Sequence, residues 1–95
     1  MGLYKLFLVA SAYNSEKSID NFLNSIVSQS FENWELLIVD DFSNDDTNKK
    51  IKKFIQSDER INLISNLENI GLTKSLIKII NLVPNESFIV RIDTD

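Results

Sequence analysis

Four short apolar runs punctuate the chain: Leu6–Ala10, Leu36–Val39, Ile61–Ile64 and Phe88–Ile92. Each is brief and rich in β-branched or aromatic side chains, as strands buried on both faces would be. Between them the apolar positions change period. Ile19, Phe22, Leu23, Ile26 and Val27 recur at helical spacing and form one stripe. Ile51, Phe54 and Ile55 repeat the pattern, and Leu72, Leu76, Ile79, Ile80 and Val83 make a third stripe. Lys49, Lys50, Lys52 and Lys53 fall on the wet side of the second helix and read as a solvated face, not a polyanion site. Asn14 or Ser15 is placed to cap the first helix, with Glu16 in its first turn, and Ser43 with Asp46 resembles a capping box for the second. The order β-α-β-α-β-α-β predicts an α/β, Rossmann-like, three-layer arrangement, with a parallel sheet, helices on both faces and right-handed crossovers.

At 95 residues the chain makes one small domain, 1–95, with a thin core, and two Gly and one Pro leave regular elements to fill most of it. It contains no Cys and no His. Disulfides, thiolate chemistry, Cys-based zinc sites and imidazole-based triads are thereby excluded. A catalytic acid or base must be Asp, Glu, Lys or Tyr, and any metal must be held by oxygen. A formal net charge of −4 argues against nucleic acid as a partner. No apolar stretch is long enough to cross a bilayer. The start imitates a signal peptide, but Leu6–Ala10 is too short for its apolar core and reads better as a buried strand. Leu6 also stands where a myristoylation motif wants Ser or Thr. The expected location is cytoplasmic, peripheral at the inner membrane face in a full-length protein.

In open parallel sheets, ligands bind beyond the carboxyl ends of the strands, near a topological switch point. Each strand here ends in oxygen-bearing residues: Ser11, Tyr13 and Asn14, then Asp40 and Asp41, then Ser65 and Asn66, then Asp93 and Asp95. Adjacent strand residues face opposite ways, so one of Asp40 and Asp41 looks into a given cleft. Asp41, where the strand is releasing, is the candidate. Its carboxylate suits the imide N–H of a pyrimidine or a ribose hydroxyl, while the same residue types also make Asx-turns and caps without any ligand. Asp93 and Asp95 stand two apart. On extended backbone their carboxylates share a side, about 6.5–7 Å apart, a span suited to Mn²⁺ or Mg²⁺; the alternative is a pair of solvated acids. Lys74 falls in the first turn of the third helix, where anions are favoured, after Gly71, whose missing side chain allows close backbone approach. Arg91 reads as the partner of an acid. Tyr13 and Phe42 flank the cleft, placed to stack on a base or to pack on a helix. Trp34 reads as the anchor of a helix end.

The segments LFLVASAYNSEKSI, SQSFENWELLIVDDFSNDDT, NLENIGLTKSL and FIVRIDTD, in this order, resemble the nucleotide-sugar-binding half of family 2 glycosyltransferases, which have the GT-A fold. The resemblance covers nearly the whole chain. It implies an inverting, metal-dependent transfer of sugar from a nucleotide-diphosphate donor, UDP-sugar first, to a glycan, lipid or protein acceptor that the sequence does not name. It also implies that Ser11 and Asp41 contact the uracil or its ribose. Asp93 and Asp95 map to the D-x-D motif, which meets the ribose and the divalent ion. The sequence departs from the family where Ser11 replaces Pro, where Phe42 replaces Gly and would crowd the base pocket, and where Ile77 replaces Asn. The family's acceptor site and catalytic base lie beyond Asp95. The chain is therefore expected to be a fragment that supplies no catalytic residue and binds donor at most.

A phosphorelay receiver would place its acidic pair after the first strand, and a dinucleotide-binding domain would need G-x-G-x-x-G there, where SAYNSEKS has no Gly. The remaining alternative is a non-catalytic nucleotide-binding or interaction module on the same half-fold. The fourth strand and third helix are expected to offer an unpaired edge and apolar surface through which chains associate as a homo-oligomer.

Overall fold

A computed structural model describes residues 5–94. Strands β1 (Leu6–Ala12), β2 (Trp34–Asp40), β3 (Ile61–Ser65) and β4 (Phe88–Arg91) alternate with helices α1 (Ile19–Val27), α2 (Thr47–Ser57) and α3 (Leu72–Ile80). All paired strands are parallel, in the spatial order β3-β2-β1-β4. The chain steps outward from β1 through β2 to β3, and α3 then carries it back to the far side of β1. The order therefore reverses between β1 and β4, which defines the switch point.

Strand alternation sorts the core into two layers. Leu8, Ala10, Leu36 and Ile38 face Ile19, Leu23 and Ile26 of α1 and Ile51 of α2. Phe7, Val9, Leu37 and Val39 face Leu76 and Ile79 of α3. This is the three-layer arrangement that the apolar pattern implied, and β1 and β2 are the strands covered on both faces. β4 is not: all four of its residues are exposed, which corrects the expectation of burial. Leu72 and Ile80 of the third stripe are also exposed, whereas Val83, past the helix end, is buried.

The helix starts differ from expectation because polar groups in the loops have stronger partners. α1 begins at Ile19, with Ser18 at its N-cap and no side-chain cap bond. Asn14 and Ser15 are held by the loop after β2. The Asn14 N–H donates to Ser43 Oγ and the Ser15 N–H to Thr47 Oγ1, at 2.9 and 2.7 Å. Ser43 caps nothing on α2: its N–H and hydroxyl both turn back to Asp40 Oδ1. Asp45 instead accepts from the Thr47 N–H and hydroxyl at the start of α2. Lys50 is drawn out of the lysine face, donating to the Glu16 carbonyl and pairing with Asp20. Trp34 lies in the core cluster that takes in Ile26 and Val27 at the end of α1 and Phe54 and Ile55 late in α2. It opens β2, 1% exposed, with the Arg60 guanidinium 3.8 Å from its ring centroid. Among the described residues, no helix is long and apolar enough to cross a membrane.

Phe42 has φ 64°, a left-handed conformation that costs a residue bearing Cβ about 1–2 kcal/mol. Its side chain is 56% exposed, so burial recovers little. Glycine removes the clash but loses about 0.5–1 kcal/mol more chain entropy on folding. Phe42→Gly is accordingly expected to raise stability by about 0.5–1 kcal/mol, read as a higher urea midpoint at unchanged slope.

Candidate functional site

A cavity of about 490 Å³ opens at the carboxyl ends of β1 and β4, at the switch point. Ser11, Tyr13 and Ser15 reach it from the end of β1, and Asp41 from the end of β2. Asn69, Gly71 and Leu72 come from the segment entering α3, and Asp93 and Thr94 follow β4. The Thr94 hydroxyl donates to the Ser11 carbonyl at 3.3 Å, tying the segment after β4 to β1. The volume lies within the range of small-molecule sites.

Asp41 is 2% exposed. A carboxylate taken this far from water needs donors, and it has them. Asn66 Nδ2 and the Ile70 N–H donate to Oδ1 at 2.9 and 2.8 Å, and the Gly71 N–H donates to Oδ2 at 2.9 Å. Burial alone pushes its pKa up. The Ile70, Asn66 and Gly71 donors, with the Ser75 hydroxyl, outweigh burial and leave the carboxyl below its ordinary value. Asp40 faces the other way, to Ser43 and to Asn48 Nδ2 at 2.8 Å. The neighbouring acids therefore divide: Asp40 ties the β2–α2 loop, and Asp41 ties the entry to α3 and walls the cavity.

Gly71 has φ 92°, and nothing lies within 4 Å of where a Cβ would stand. Glycine is needed there for its backbone angle, and no protein group fills the space that its missing Cβ leaves at the cavity wall. Tyr13 is half-exposed on the cavity wall. Phe42, expected to crowd a base, does not line the cavity and points its ring to solvent. Asn14 and Lys74 also lie outside the lining. Asn14 accepts from the Asn44 N–H at 2.9 Å, and Lys74 is exposed on the first turn of α3. Asp93 is exposed and meets Arg91 Nη2 at 3.5 Å, the acid pairing expected for Arg91. Asp95 lies outside the described residues. Among the described residues no three acidic side chains cluster as a metal cage would. The structure adds Asn69, Leu72 and Thr94 to the cavity wall, and Lys78 behind it. Asn69 stands in the quoted NLENIGLTKSL segment, but no spacing rule marks it as wall. Lys78 reads as one more helix lysine.

Residues 8–95 match the family model for Glycosyl transferase family 2. The chain belongs to that family. It is 40% identical over 63 residues to the UDP-Glc:alpha-D-GlcNAc-diphosphoundecaprenol beta-1,3-glucosyltransferase WfgD of Escherichia coli, a match covering 66% of this chain and 24% of that enzyme. It is 38% identical over 69 residues to an uncharacterized glycosyltransferase of Haemophilus influenzae, covering 73% of this chain and 21% of that protein. The fold matches the crystal structure of S. aureus TarS 1–349 in complex with UDP-GlcNAc. There the TM-score is 0.87 at 29% identity, covering 96% of this chain and 26% of TarS 1–349. The mannosyltransferase PcManGT of Pyrobaculum calidifontis, in complex with GDP-Man and Mn²⁺, shares the fold at TM-score 0.86 and 21% identity, over 99% of this chain and 29% of that one. The family 2 chain described here thus spans about a quarter of the length of these relatives.

Asp45 and Asp58 are also held below the ordinary carboxylate range. Burial raises the Asp45 pKa, but the Thr47 hydroxyl and N–H and the Glu16 N–H outweigh it; the Arg60 guanidinium, over a smaller opposing effect of burial, lowers that of Asp58. With folded pKa values below the unfolded value of about 3.9, their stabilisation is full above that value and lost as pH falls through the folded values. The urea midpoint is expected to be flat from pH 7 to about 5 and to fall steeply below about 4. Asp41→Asn is expected to flatten part of that fall.

Proposed function

We propose that this chain is the donor-binding part of an inverting, metal-dependent glycosyltransferase that takes a UDP-sugar. One observation carries the reading: four separate segments bring Ser11, Tyr13, Asp41 and Asp93 to one cavity at the switch point. The choice of UDP is supported by the name of WfgD and by the complex of TarS with UDP-GlcNAc. On this reading the base lies against the half-exposed ring of Tyr13, with Ser11 and Asp41 contacting the base or ribose and Asn14 and Lys74 bordering the site. Asp41 reaches donor only through oxygen lone pairs left by its three N–H partners, which makes it a fixed acceptor rather than a base. The acceptor, whether glycan, lipid or protein, is outside this reading.

The donor set fits a divalent ion that arrives on the diphosphate. Asp93 is the cavity carboxylate not already saturated by backbone N–H groups, and Mg²⁺ or Mn²⁺ commonly uses one or two carboxylates plus substrate phosphate and water. Asp93, with Asp95 beyond the described residues, would hold it, and the ion supplies charge neutralisation to the departing nucleoside diphosphate. No residue of the cavity is proposed as the catalytic base.

Titration calorimetry with UDP is expected to give binding in the presence of Mn²⁺ and little with a chelator. Asp93→Asn is expected to weaken the Mn²⁺–UDP complex about 10-fold or more. No heat at millimolar UDP with Mn²⁺ would favour the non-catalytic module instead.

We propose in addition that the face formed by β4 and the outer side of α3 pairs with a second copy. Ile77, Ile80, Leu82 and Ile89 are exposed on the α3 side, and Val90 is exposed on the opposite side of the same edge strand. Sedimentation velocity is expected to show concentration-dependent dimers that Val90→Lys disperses. A strictly monomeric species at millimolar concentration contradicts this.

A further inference from the structure

Lys78 stands on α3, outside the cavity, yet its ammonium reaches into the polar network behind it. Its Nζ donates to Asn66 Oδ1 at 2.8 Å. The same Asn66 amide donates through Nδ2 to Asp41 Oδ1 at 2.9 Å and to the buried Ser75 hydroxyl at 3.1 Å. Asn66 is 5% exposed, and its own N–H is fixed to the Asp40 carbonyl at 2.9 Å, so the side chain neither withdraws nor finds water.

An amide has two unlike faces, and here each face has one compatible neighbour. Turned over, it would set NH₂ against an ammonium and a carbonyl against a carboxylate, and both contacts repel. Lys78 therefore holds the carbonyl end of the amide and so keeps its NH₂ end turned to Asp41. Asp41 in turn takes the Ile70 and Gly71 N–H groups, which hold Asn69, Gly71 and Leu72 as one wall of the cavity.

We propose that Lys78 is a positioning residue for the nucleotide site: it orients the Asn66 amide so that Asp41 keeps the Asn69–Leu72 segment in place as the cavity wall. The proposal rests on the donor-binding reading above. It differs from a role for Lys78 as a cation in the last turn of α3, which would act on helix stability alone.

Two variants test it. Lys78→Met keeps the stem and removes the charge. Amide hydrogen exchange, taken without nucleotide, is expected to quicken at Ile70 and Gly71 about 10-fold relative to the β1 and β2 amides, and Mn²⁺–UDP affinity to fall by a similar factor. Asn66→Asp keeps the shape and the Lys78 contact but sets a second carboxylate against Asp41. Such a pair shares a proton as pH falls. Affinity is expected to be low at pH 7 and to recover toward about pH 5, while the unaltered chain stays flat or weakens. The other groups facing Asp41 do not imitate this. Those groups, Tyr13 and Asp93 on the cavity wall and Lys78 behind Asn66, are the same in both chains, so the difference between the two pH profiles reports the added carboxylate.

Exchange at Ile70 and Gly71 that is unchanged in Lys78→Met, or an Asn66→Asp variant that shows no recovery at low pH, overturns the proposal. An unaltered chain that ignores Mn²⁺–UDP overturns the donor reading, and the exchange comparison still decides whether Lys78 holds the wall.

Discussion

A carboxylate removed from water must be given donors or a proton, and Asp41 has been given donors. Its three N–H partners come from one short stretch 25 to 30 positions further along the chain, which holds the residue just after β3 and the two residues that enter α3. The cavity has its shape because those residues converge on one charge. Without that charge the Ile70 and Gly71 amides would have no acceptor on this side, and the entry to α3 would be free to move from the switch point. Donor chemistry and fold thus meet in a single group: it closes the wall and is offered to whatever binds against it.

A second polar clasp lies on the other side of β2. Asp40, Ser43, Asn48, Asn14, Ser15, Glu16, Asp45 and Thr47 lock the β1–α1 and β2–α2 loops together. This explains why polar residues that look like helix caps in sequence cap nothing. Their hydrogen-bonding capacity is spent between loops, where it fixes the height of Ser11 and Tyr13 against Asp41. The two acids of the strand end act as opposite hands of the same joint, one gripping each neighbouring loop.

The architecture was legible in the sequence because its signals are additive. Period-2 and period-3.6 apolar patterns summed over whole segments located every strand and helix, and the shared alternation forced the three layers. Ser11, Tyr13, Asp41 and Asp93 were legible because each follows an apolar run. Boundaries and partners were not. Ser15 as a cap and Phe42 as an obstruction are each sound readings of local chemistry, and each was displaced by a contact some thirty positions away or by a backbone angle. Lys78 was invisible for the same reason: its meaning depends on an asparagine on another element. β4 reads as a buried strand from its side chains alone, whereas the open edge expected of it is what the sheet order shows.

The left-handed backbone at Phe42 has a consequence for how this family can vary. No single nucleotide change converts a phenylalanine codon into one for glycine; the shortest routes pass through valine or cysteine, each of which also carries a Cβ into the same forbidden region. Relief of the backbone cost at this corner therefore takes two nucleotide changes, the first of which leaves that cost in place.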